Sequence, residues 1–117
     1  KLTNCTFEKI DVIANQESMR GFDWLIFSGT LNTMEESKAV ELINVAFAKS
    51  AFGVAFNFLS NQNGKQGDED LHPASRFHTT ALLKHAFSLT PFVEFTQTYL
   101  DGHDATIILR KKKIHSK

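Results

Sequence analysis

The sequence predicts one α/β domain, and three observations carry that reading. Two short apolar runs bounded by turn residues, Asp23–Ser28 and Phe52–Leu59, read as buried strands. Between them, Ala39, Val40, Ile43, Ala46 and Phe47 recur at helical spacing. Near the end, two further β-rich runs flank Asp101-Gly102, a strong hairpin signal.

The chain has 117 residues, one small domain's worth, with 42% hydrophobic and 22% charged residues, so it can bury a core without disulfides or metals. The formal net charge is zero, so no global field draws nucleic acid or an anionic membrane. The basic tail Arg110-Lys111-Lys112-Lys113, followed by His115 and Lys117, reads as a solvated terminus, or else as a weak anion or nucleic-acid contact. A single cysteine, Cys5, cannot form an internal disulfide, which suits a reducing cytoplasm. No apolar run approaches membrane-spanning length and no signal-peptide pattern opens the chain. The first residue is Lys1 rather than Met, which reads as a processed, tagged or truncated product. Eleven phenylalanines supply aromatic area; core packing takes most of them, with one or two left for a pocket or a subunit contact.

Taken in order, Thr6, Phe7, Ile10, Val12 and Ile13 favour a first strand over about 5–13. Asn15–Gly21 is a polar loop, followed by the strand Asp23–Ser28. That loop is too short for a parallel crossover between neighbours. The first two strands are therefore antiparallel neighbours, or parallel with a gap between them. Thr33, Glu35 and Glu36 start a helix over Thr33–Ser50, and Lys49 suits its last turn. The strand Phe52–Leu59 completes a strand–helix–strand unit, so its two strands are parallel. Their carboxyl ends then share one crest, bringing Ser28–Asn32 beside Asn57 and Ser60. Ser60–Pro73 is a long polar loop, a mobile or lid-like segment, with the acidic run Asp68-Glu69-Asp70. Ala74–Leu89 is a second helix after Pro73. Pro91–Leu100 and Ala105–Lys111 form the closing hairpin. The expected order is β-β-α-β-α-β-β, mostly parallel with an antiparallel C-terminal hairpin strand.

A strand ending FDWLIFSGTLN, a helix, a strand GVAFNFLS, a polar loop, a second helix and a closing hairpin resemble the C-terminal half of class I S-adenosylmethionine-dependent methyltransferases. The likeness is to members with an "FDYVxxSGxxN" strand and a "GxAFNFL" strand, and it covers nearly the whole chain. It implies a Rossmann-like sheet whose last strand runs antiparallel beside Phe52–Leu59. It places Asp11 near the cofactor adenine, with Ser28 and Gly29 at the cofactor crest. The family's glycine-rich loop and its ribose-holding acid have no counterpart here, and both would lie upstream of Lys1. The resemblance therefore implies a truncated sheet that lacks the methionine and ribose sites for S-adenosylmethionine. A gap in such a sheet invites pairing. Either the first strand moves beside Asp23–Ser28, or a second copy fills the opening, and a homodimer follows from both.

Ser28, Thr30, Asn32, Asn57, Ser60, Asp101, His103 and Asp104 are the polar groups expected at the crest. His103 between Asp101 and Asp104 is either a general base oriented by an acid or an exposed turn histidine. Asn32 and Asn57 either bond a ligand or hold the adjoining loops through their backbone. Gly29 permits an unusual backbone angle or a close approach. His72, His78 and His85 lack the spacing of a one-helix metal site. Three functions follow as expectations: a methyltransferase-like domain without activity of its own that dimerises, a methyltransferase completed by another chain, and a small-ligand module using the crest pocket.

Overall fold

The computed structural model describes residues 5–64, 71, 73–99 and 102–112. The acidic run Asp68-Glu69-Asp70, His72, Asp101 and the tail from Lys113 lie outside these residues. Among the described residues are four strands and two α-helices: β1 (Trp24–Phe27), α1 (Glu36–Lys49), β2 (Gly53–Leu59), α2 (Thr79–Leu89), β3 (Phe92–Tyr99) and β4 (Asp104–Arg110). They form one mixed sheet in the order β1-β2-β4-β3.

β1 and β2 pair in parallel, from Trp24 opposite Gly53 to Phe27 opposite Phe56. β4 runs antiparallel to both β2 and β3. The closing hairpin and its place beside β2 agree with the sequence reading. The expectation of a mostly parallel sheet does not hold, because two of the three pairings are antiparallel. The physical reason is the hairpin, which inserts its returning strand between β2 and β3 and so reverses both contacts.

The pleat sorts the side chains. Leu25, Phe27, Val54, Phe56, Phe58, Ala105, Ile107 and Leu109 share one sheet face, and all but Leu25 are buried. Ala39, Leu42, Ile43 and Ala46 of α1 and Leu82 and Ala86 of α2 join the same cluster. Both helices therefore lie on this one face. Phe58 stacks on Phe77 with ring centroids 6.4 Å apart. Burying a ring of that size contributes roughly 2–3 kcal/mol. The opposite face, with Trp24, Ile26, Ala55, Asn57, Ile108, Thr106 and Glu94, carries no helix among the described residues.

The predicted first strand over 5–13 is not formed; these residues lie outside any helix or strand. β-propensity alone cannot make a strand without a ladder partner. The end of the segment is instead folded by Asp11, whose Oδ1 accepts the N–H groups of Ile13 (3.1 Å) and Ala14 (3.2 Å). A short 3-10 turn at Gln16–Met19 follows, anchored by the buried Met19 and by Glu17, which bonds Lys49 at 2.7 Å.

Two helix starts also differ from the sequence reading. Thr33 closes a 3-10 turn, Leu31–Thr33, and Glu35 occupies the α1 cap position without a side-chain bond. α2 begins at Thr79 rather than Ala74, because Phe77 makes strand-like bonds: its N–H donates to Leu59 O (2.8 Å) and its C=O accepts from Asn61 N (3.1 Å). The phenylalanines divide differently as well. Phe27, Phe56, Phe58 and Phe77 are buried, whereas Phe7, Phe22, Phe52 and Phe87 are each more than half exposed.

Candidate functional site

The crest forms where the carboxyl ends of β1 and β2 meet the loops that leave them. β1 stops at Phe27, and Gly29 turns the chain with φ +69, a left-handed angle that glycine adopts without Cβ strain. Its N–H donates to Asn57 Oδ1 at 2.7 Å. Asn32 has the matching role in the next turn of the chain: its Oδ1 accepts Leu59 N at 3.2 Å, and its carbonyl accepts Ser75 N at 2.9 Å. Of the two roles open to these asparagines, the structure shows the loop-holding one. Each stitches a β1 loop to the end of β2.

Ser60 lies inside the fold. It is fully buried, its hydroxyl lies 2.6 Å from Thr79 Oγ1, and it accepts Gln62 N at 3.0 Å. Asn61 Oδ1 accepts Thr79 N at 3.1 Å and so serves the first turn of α2 from outside the helix. These two residues link the end of β2 to the start of α2.

His103 meets Arg76. Arg76 Nη1 donates to Ser60 O (2.8 Å) and to His103 O (3.2 Å), and Nη2 lies 3.1 Å from His103 Nδ1. A guanidinium has only donors, so Nδ1 is the acceptor here. Asp104, next to His103, has its carboxyl pushed above the ordinary range, chiefly by burial. Ser28 and Thr30 are exposed at the tip, where Thr30 Oγ1 lies 3.5 Å from the Ser28 carbonyl.

Asp11 makes its hydrogen bonds within its own turn. No hydrogen bond among the described residues joins it to Ser28 or Gly29. Its Oδ1 serves its own turn, and the Gly29 N–H is taken by Asn57. The Asp11 carboxylate and the Gly29 N–H, which the resemblance assigns to the cofactor, are thus each engaged within the chain. His78 and His85 bond α1 instead, through Glu36 Oε1 (3.0 Å) and Asn44 Oδ1 (2.6 Å).

Sequence reasoning missed Arg76, Asn61 and Thr79. Arg76 fell inside a predicted helix, and nothing in its local sequence signals a partner 27 residues away. The Asn61–Thr79 link depends on the path of the loop between them, which propensity does not encode. No helix among the described residues is long and apolar enough to cross a membrane. No protein-family model matches this chain, and no curated protein matches it significantly.

Proposed function

We propose that this chain is a methyltransferase-like half-sheet that does not catalyse by itself and works by association through the open side of β1. The observation that carries this reading is the state of that strand. β1 is an edge strand whose Ile26 is 71% exposed, beside exposed Phe22, Trp24 and Phe52. An exposed apolar edge is a template for pairing with another chain. The absence of independent catalysis is supported by the crest, where Asn32, Asn57, Ser60 and His103 are engaged with their own fold. The finer likeness to a Rossmann-like methyltransferase sheet is supported by the reversed β4 lying beside β2. Sedimentation across a concentration range tests the association: self-association is expected, and a monomer at millimolar concentration overturns it. Calorimetry with S-adenosylmethionine tests the other half, since micromolar binding by the lone chain would sink it.

The helix-free sheet face favours one second reading, a methyltransferase completed by a separate chain. A cofactor-binding partner with a glycine-rich loop would cover that face and continue the sheet at β1. Co-purification with such a chain, together with S-adenosylmethionine binding by the pair alone, is the result that would establish it.

A further inference from the structure

Residues 5–13 and the edge of β1 are each incomplete in a complementary way. The segment holds Phe7, Ile10, Val12 and Ile13, a β-favouring set, yet it belongs to no helix or strand. Phe7 is 89% exposed, Ile10 42% and Ile13 43%. On β1, Asp23 O accepts Phe52 N at 2.7 Å and so points toward β2. Alternation along the strand then turns the N–H and C=O groups of Trp24 and Ile26 outward. No strand among the described residues pairs with that side.

We propose that two copies exchange these segments, residues 5–10 of each adding as an edge strand to β1 of the other. The inference rests on the association reading above and names its partner as a second copy of this chain. The arm cannot readily serve its own edge. Its link to β1 is consumed by the Asp11 turn and by the 3-10 turn that Met19 and Glu17 fasten to the core and to α1. Ile13 itself lies in a small cleft against Lys38, Glu41 and Leu42 of α1. Pairing within one chain would undo that link, whereas pairing between chains leaves it intact. Exchange of an identical element is a low-cost route to a dimer.

The areas fit. Phe7, Ile10, Phe22, Trp24 and Ile26 together expose roughly 600 Å² per copy, taking about 200 Å² for a fully exposed large side chain. A standard stable interface needs about 800 Å² per partner. The backbone of the paired strands contributes toward the remainder.

Two full-length variants test the exchange. Phe7→Glu/Ile10→Lys disables the arm, and Ile26→Lys disables the edge; all three residues are exposed, so both variants keep the wild-type circular dichroism spectrum. Wild type is expected to sediment as a dimer and each variant alone as a monomer. Mixing the two at equal concentration is expected to restore a heterodimer, because one intact arm meets one intact edge. A wild-type monomer at high concentration overturns the proposal. If the arm variant stays dimeric while Ile26→Lys is monomeric, the exchange is wrong but the edge reading survives. If Ile26→Lys stays dimeric, both fail.

Discussion

The Arg110 guanidinium carbon lies 5.5 Å from the centroid of the Trp24 ring, reaching from β4 over β2 to β1. The register explains the reach: Trp24 and Arg110 both stand opposite Gly53. A Cβ on Gly53 would sit 2.1 Å from the Leu109 carbonyl oxygen and 2.8 Å from Trp24 Cζ3. The missing side chain is therefore what lets the indole lie across the sheet. Arg110 also pairs with Glu94 of β3, so one side chain links the two outer strands on the helix-free face.

Gly53→Ala should destabilise the domain by at least about 2 kcal/mol, because the nearest clash is with backbone that cannot rotate away. Urea unfolding followed by Trp24 fluorescence reads this directly, and an unchanged midpoint would refute the packing argument.

Arg110→Met keeps the stem and removes the charge. The cation–π contact contributes roughly 0.5–1 kcal/mol. The partly exposed ion pair with Glu94 adds at most about 1 kcal/mol. A combined loss of about 1 kcal/mol is expected, with a shift in Trp24 emission that Lys38→Met does not produce.

Asn57→Ala removes the acceptor for Gly29 N–H and should cost about 1–2 kcal/mol. Asn57→Asp keeps an acceptor at the same place and should lose less than half as much. Equal losses in both variants would mean that the bond to Gly29 is not what Asn57 contributes.

Ser60 and Thr79 form a buried hydroxyl pair, so their effects should not add. Ser60→Ala and Thr79→Val should each cost about 1 kcal/mol. The double variant should cost clearly less than the sum of the two. Additive losses would place the two hydroxyls in separate roles.

Glu17 gives a pH dependence of known sign. Hydrogen bonds from Arg20 and Lys49, with their charges, hold its carboxyl at about 2 instead of the ordinary 4.5. A depressed value means that the ionised form favours the fold. The contribution is full above the unfolded value and is lost as pH falls through the folded one. The difference in Tm between wild type and Glu17→Gln should therefore be constant at neutral pH and shrink below about pH 4.5, closing near pH 2. The group is exposed, so high salt should reduce the difference as well.

Most of the fold is legible in the residues. Trp24–Phe27, Gly53–Leu59 and both hairpin strands fall inside the predicted runs or within a residue of them, and α1 falls inside Thr33–Ser50. These elements are specified locally: apolar periodicity, turn glycine and proline placement act over a few residues. The failures share a cause. Residues 5–13 carry strand propensity, and residues 74–78 carry a helical pattern, but neither outcome is settled locally. The first has no ladder partner among the described residues, and the second is held extended by Leu59 and Asn61.

The candidate site divides in the same way. The sequence by itself determined which residues stand at the crest, because strand ends and turn chemistry place Gly29, Asn32, Asn57 and Ser60 there. Tertiary structure alone decided what those residues do. Whether Asn57 faces a ligand or the Gly29 amide, whether Ser60 is open or sealed against Thr79, and whether His103 is free or held by Arg76 all depend on bonds spanning 19 to 28 residues. Local pattern fixes the direction of a chain segment. Long-range hydrogen bonding, made obligatory by burial, assigns the partners.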